Sequence, residues 1–178
     1  MLERCVLTAQ VGFPVYSHLS WDSKSKTDGV SQLVYNLKES RTSFLANFLS
    51  EGILSKFWNR LGPLEDVVLI PIPGSTGRKH SLRLARSLGD LTGFPVREEL
   101  RFRGGEPQRG KKIEERLRRE FHRVPKLILQ NYKTVLLIDD VATTGASLRA
   151  AQKALPEGLR CIGLTAFYRA LSTDLAES

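Results

Sequence analysis

Two runs of aliphatic residues restrict the folds open to this chain more than any other feature. The first is Asp66-Val67-Val68-Leu69-Ile70-Pro71-Ile72, and the second is Thr134-Val135-Leu136-Leu137-Ile138-Asp139. Because they are apolar at consecutive rather than alternate positions, both read as strands buried on two faces, as in a parallel sheet with helices above and below it. Each is followed by small or turn-forming residues and then by apolar residues at helical spacing. These are Leu84, Ala85, Leu88 and Leu91 after the first run, and Leu148, Ala151 and Leu155 after the second. Strand, loop and helix repeated in this way imply an α/β architecture, a mostly parallel sheet flanked by helices.

The remaining segments fit around that frame. Phe44, Leu45, Phe48, Leu49, Ile53, Leu54, Phe57 and Trp58 predict an amphipathic helix over 42–59, closed by Gly62-Pro63. Val30 to Leu37 predicts a short helix. Thr92-Gly93 ends the helix after the first run, Phe94-Pro95-Val96 begins a weak strand, and Arg160 to Phe167 forms the last one. Residues 1–29 read as irregular or short-stranded, so 1–40 are expected to form a small N-terminal hood over a core at 41–169. At 178 residues, 1–178 is expected to be a single domain.

Composition excludes several classes. With 41% hydrophobic and 26% charged residues, the chain is not expected to be largely disordered. Only Cys5 and Cys161 are present, too few for a disulfide framework or a four-cysteine zinc site. No stretch approaches the ~20 apolar residues of a membrane span, and Met1 to Cys5 has no signal-peptide layout. A reducing, cytoplasmic setting is the expectation. Of the net charge of +8, most lies between Arg101 and Lys126, where ten basic residues face four acidic ones. Such a stretch serves equally as a solvated helix face or as a cationic arm for a polyanion, nucleic acid or diphosphate.

The chemistry concentrates in Val135-Leu136-Leu137-Ile138-Asp139-Asp140-Val141-Ala142-Thr143-Thr144-Gly145-Ala146-Ser147. Two adjacent carboxylates are expected at the carboxyl end of a buried strand, where α/β sheets bind ligands. Small and hydroxylated residues then lead into a helix. Small side chains let backbone N–H groups approach an anion, Gly145 relieves the tightest point, and the helix N-terminus adds donors and a favourable dipole. Thr143, Thr144 and Ser147 supply hydroxyls, completing a phosphate cradle. Carboxylates repel phosphate but accept hydrogen bonds from the vicinal hydroxyls beside it, directly or through Mg²⁺. The pattern describes a ribose-5-phosphate site. A lone Asp-Asp is more often a turn or a helix cap; the strand before it and the helix after it favour the ligand reading.

This run closely resembles the phosphoribosyl pyrophosphate (PRPP) signature of the type I phosphoribosyltransferases, which share a Rossmann-like fold. The rest is similar to their ComF branch, associated with DNA uptake in competent bacteria. The likeness is carried by Val68 to Pro73 with Gly77 and Leu84-Ala85-Arg86, and by Pro107-Gln108 followed by a basic helix ending near Phe121, across residues 30–169. The resemblance implies that Asp139 and Asp140 contact the ribose hydroxyls, directly or through Mg²⁺, and that Ala142, Thr143, Thr144, Gly145, Ala146 and Ser147 hold the 5′-phosphate. It places pyrophosphate on Pro73, Gly74, Ser75, Thr76, Gly77, Arg78 and Lys79. A flexible loop at 101–112 would close over the reaction, with Arg103, Arg109, Lys111 and Lys112 stabilising charge on departing pyrophosphate. It also implies a nitrogenous acceptor and leaves single-stranded DNA, DNA-processing partners and an oligomer as further expectations.

The chain departs from its relatives in places. Where ComF-like chains often carry Gly-Phe-Asn-Gln, this one has Gly77-Arg78-Lys79-His80. The four-cysteine zinc module common at the start of such chains cannot be built from Cys5. Where some purine-salvage members use an aspartate on the base, this chain has Thr143, which cannot act as a general base at neutral pH. Gly74-Ser75-Thr76-Gly77-Arg78-Lys79 is not a nucleotide P-loop, because only two residues separate its glycines. His18, His80 and His122 show no metal-ligand spacing, and only His80 draws interest, through its loop. Trp21, Trp58, Phe44, Phe48 and Phe57 are expected in core or hood packing, and Cys161 as an inert buried thiol.

Overall fold

A computed structural model describes residues 10–21, 28–39, 44–74, 79–102, 121–123 and 128–169. In chain order the elements are β1 (Val15–Trp21), α1 (Gly29–Glu39), α2 (Phe44–Phe57), β2 (Val67–Pro71), α3 (His80–Thr92), β3 (Leu100–Phe102), β4 (Phe121–Arg123), β5 (Thr134–Ala142), α4 (Ala146–Lys153) and β6 (Arg160–Arg169). The main sheet has the order β1-β6-β5-β2 with every pair parallel. β3 and β4 form a separate antiparallel pair. The weak strand expected at 94–96 is a single parallel bridge from Val96 to Leu69, flanking β2. It is held by Leu69 N–H to the Pro95 carbonyl and Arg97 N–H to the Leu69 carbonyl, both 2.9 Å.

The two aliphatic runs are apolar throughout because each faces two cores. Val68, Ile70, Val135 and Leu137 join Leu148 and Ala151 of α4 on one face. Val67, Leu69, Leu136 and Ile138 join Leu49, Ile53 and Phe57 of α2 and Leu84, Ala85 and Leu88 of α3 on the other. This is the mostly parallel, helix-flanked α/β fold that the sequence predicts. Gly163 of β6 lets α4 come down onto the sheet: a Cβ there would lie 3.1 Å from both Leu148 and Val15 side chains. Cys161 is buried, and burial raises its thiol pKa to about 11, as an inert thiol requires.

Several elements differ from the sequence reading. β1 lies within the stretch read as irregular or short-stranded, yet it is a member of the main sheet, paired with β6 from Val15↔Gly163 to Trp21↔Arg169. β5 runs through both aspartates to Ala142, because β6 stays paired with it that far. Phe121, read as the end of a charged helix, opens β4; the rest of that helix lies outside the described residues. Trp21 and Phe57 are core residues, but Phe44, Phe48 and Trp58 are exposed, Phe44 at 77%. The buried stripe of α2 runs through Leu45, Ala46, Leu49, Ser50, Ile53 and Phe57, leaving Phe44 and Phe48 beside it. Trp58 stacks on Phe94 with ring centroids 6.0 Å apart. Among the described residues, no helix is long and apolar enough to cross a membrane.

Two local features predict stability effects. Asp66, just before β2, has φ 46°, in the left-handed region, while its carbonyl accepts the amides of Lys133 and Thr134. Asp66→Val should cost about 1–2 kcal/mol in urea unfolding, and Asp66→Gly should be close to neutral. On β1, the His18 ring lies against the bare backbone of Gly52 in α2, where an added Cβ would come within 2.3 Å. Lys56 Nζ donates to the His18 carbonyl at 2.8 Å, and His18 Nδ1 is buried without a hydrogen-bond partner among the described residues. Burial first, and then the Lys56 charge, lower the His18 pKa from 6.5 to about 4. Between those values the unfolded chain binds the extra proton. Stability should therefore be complete above pH 6.5 and fall by about 1–2 kcal/mol, after discounting for partial exposure, as the pH drops to 4. Urea midpoints across this range check it, and His18→Gln should flatten the profile.

Candidate functional site

β2 and β5 are adjacent and parallel, but the chain leaves them in opposite directions. From β2 it passes through α3 on one face to the Val96 edge, and from β5 through α4 on the other face to β6. Strands whose exits diverge open a crevice at their carboxyl ends, the usual ligand position in such sheets. β2 ends at Pro71, paired with Ile138, and Ile72 N–H still reaches the Ile138 carbonyl at 2.9 Å. Among the described residues, β5 keeps only β6 as a strand neighbour from Asp139 onward. Both acids stand where β5 outruns β2.

The first turn of α3 occupies the space beside that overhang. Ser81 Oγ donates to Asp139 Oδ1 at 3.2 Å, and His80 Nδ1 lies 3.2 Å from Asp140 Oδ2. Within the strand, Asp140 N–H donates to Asp139 Oδ1 and Val141 N–H to Asp140 Oδ1, each at 2.9 Å. Asp139, His80 and Ser81 are buried, while the Asp140 side chain retains 19% of its accessible surface. The carboxylates are thus held in orientation by short backbone contacts and by a neighbouring helix. His80 stands out in the sequence only by its loop, and Ser81 carries no signal at all. Their contact with the acids depends on the divergence of β2 and β5.

Ala142 is the last residue of β5, and the corner runs from Thr143 to the start of α4. Gly145 is the N-cap of α4 at φ 69°, a left-handed conformation that a side chain would strain. Thr144 Oγ1 accepts the Ala146 amide at 3.4 Å. Thr143, Thr144, Ala146 and Ser147 are half-buried, at the edge of the crevice. Across it, Pro73 and Gly74 leave β2 and Lys79 precedes α3; Ser75, Thr76, Gly77 and Arg78 lie outside the described residues. So do Arg103, Arg109, Lys111 and Lys112 of the predicted flexible loop.

Beside the β2–α3 loop is a cavity of about 160 Å³ lined by Pro71 to Gly74, Lys79, Leu82, Glu98, Leu100 and Arg101. Its loop residues and Lys79 are among the predicted site residues, Glu98 is not, and Arg101, predicted to open the flexible loop, lies instead in β3 paired with His122. Glu98 also pairs with Arg86 at 3.3 Å on the exposed surface. Among the described residues, no group of three or more His, Cys, Asp or Glu could hold a metal ion by itself.

Fold and site together define an α/β protein with a parallel sheet and an acid pair joined to a small-residue corner at the crevice. No family model and no curated protein matches the chain. Among solved structures it is similar to a hypothetical protein from Neisseria gonorrhoeae with bound ppGpp, at 14% identity and TM-score 0.43, covering 73% of this chain and 84% of that one. It is also similar to a purine phosphoribosyltransferase from Pyrococcus horikoshii, at 20% identity and TM-score 0.36, covering 80% of this chain and 84% of that one. Both scores are low, and the fold assigned above rests on the chain's own strand order and register.

Proposed function

We propose that the protein binds PRPP and transfers its phosphoribosyl group to a nitrogenous acceptor with release of pyrophosphate, as a ComF-like type I phosphoribosyltransferase. The observation that carries this reading is the position of Asp139 and Asp140 on the β5 overhang, directly before the Ala142–Ser147 corner. Acceptors for a sugar diol and donors for its phosphate then adjoin at one crevice. In this reading the corner binds the 5′-phosphate, and Pro73, Gly74 and Lys79, with Ser75 to Arg78, bind pyrophosphate. Cations of the 101–112 stretch would offset charge on the departing pyrophosphate.

Mg²⁺ fits the acids present. It takes one or two carboxylates and completes its shell with substrate oxygens and water, which two adjacent aspartates allow without a third protein ligand. Asp139 and Asp140 would hold it, and when bound it would offset charge on the diphosphate. The chain's own residues bind and orient: the acids grip the diol, and the corner anchors the far end of the sugar. The bond from C1′ to pyrophosphate breaks, with its electron pair leaving on pyrophosphate, the acceptor nitrogen bonds to C1′, and that nitrogen's proton passes to water. With Thr143 in the corner, no aspartate at that position acts on the base.

Calorimetric titration of PRPP with and without Mg²⁺ tests the binding, and pyrophosphate release across a panel of bases and amines tests the transfer. Mg²⁺-dependent heat with turnover is the expected result; absence of binding overturns the proposal. A second reading, PRPP binding without chemistry, is favoured by Lys79 and His80 standing where relatives carry other polar residues. Binding without release of pyrophosphate for any acceptor selects it. DNA contact by the Arg101–Lys126 cluster would appear as single-stranded DNA affinity that falls steeply with salt and responds to neutralising Lys111, Lys112 and Arg116.

A further inference from the structure

We infer that His80 and Ser81 are positioning residues that orient the acid pair, so that the first turn of α3 and the end of β5 present the acids to a ligand as one unit. This rests on the PRPP reading for its ligand but not for its geometry. Two consecutive residues of a single helical turn reach two consecutive carboxylates on another element: Ser81 to Asp139 and His80 to Asp140, each at 3.2 Å. Adjacent strand residues ordinarily direct their side chains to opposite sides of a sheet. A shared helical partner for both therefore needs a place where the neighbouring strand has stopped, which the end of β2 at Pro71 provides.

His80 and Ser81 are polar, open a helix and are yet only 8% and 6% exposed. Polar groups withdrawn from water in this way are held by what they bond, and here that is the acids. The acid rotamers are set from two directions, by the amides of Asp140 and Val141 and by the first turn of α3. An acceptor pair held before ligand arrives loses less freedom on binding, so its contacts contribute more of their strength.

The experiment is Mg²⁺-PRPP calorimetry on a small set of variants. His80→Ala and Ser81→Ala should each weaken affinity about tenfold. Ser87→Ala, which removes a 2.8 Å bond from α3 to Asn47 away from the acids, should leave affinity unchanged. His80→Gln retains an N–H donor and should restore most of the loss. In an Asp140→Asn background, His80→Ala should add nothing further. Unchanged affinity in the alanine variants, additive losses, or an equal effect from Ser87→Ala would each overturn the assignment. Should wild type bind no PRPP, the function proposed above fails and the positioning claim is read without ligand. The carboxyl ¹³C signal of Asp140 should then shift in His80→Ala and not in Ser87→Ala, and the His80 ring ¹⁵N signals should shift in Asp140→Asn. Signals that stay in place would sink it.

Discussion

Asp139→Asn combined with Asp140→Asn should weaken Mg²⁺-dependent PRPP binding by at least about a hundredfold while leaving the fold intact. Each carboxylate in the proposed site accepts a hydrogen bond from a ribose hydroxyl or ligates a cation, a charge-assisted contact of about 1.5–3 kcal/mol, so losing both charges removes several kcal/mol of binding. Asparagine keeps the shape and one carbonyl oxygen. The amides of Asp140 and Val141 that now donate to these side chains retain an acceptor. The melting temperature should accordingly move by no more than about 4 °C. Calorimetry beside a thermal melt checks both halves. A double variant that binds as wild type does would detach the acids from the ligand, and one that unfolds would make them structural.

The second large effect is expected at Gly163. This residue sits in β6 between Leu137 of β5 and Val15 of β1, beneath Leu148 of α4. An added Cβ would lie 3.1 Å from both Leu148 and Val15, two side chains without exposed surface that would have to shift within the core. Gly163→Val should therefore cost about 3 kcal/mol by overpacking and lower the melting temperature by about 6–12 °C. Because α4 begins at the Gly145 corner, lifting it off the sheet should also weaken PRPP binding. Gly163→Ala should fall between the two. A valine variant that melts with wild type would mean that α4 does not rest where the contacts place it.

The parts legible in the sequence were those whose pattern is local. β2 and β5 are read from aliphatic residues at every position, because burial on two faces leaves no polar alternation. The corner is read from Gly145 and its hydroxylated neighbours, because a tight turn constrains residue type at the turn itself. What escaped depends on distant partners. Val15 to Trp21 alternates weakly and contains Ser17, His18 and Ser20; only its register against β6 makes it a strand of the main sheet. Gly52 in the interior of α2 looks like a helix-weakening residue until the His18 ring is found against it. The acids read as leaving the strand, since charge seldom continues one, but β6 remains paired as far as Ala142. His80 and Ser81 reach them only because β2 stops short.

The pairing of Val15 with Gly163 has a consequence for how the molecule is made. On the ribosome, β1 emerges early and waits with an unsatisfied edge until the stretch carrying β6 has been synthesised. Contacts so far apart in sequence delay closure of the sheet and leave a paired-strand template open in the meantime. The newborn protein should therefore be most exposed to mispairing and to chaperone capture just before β6 appears.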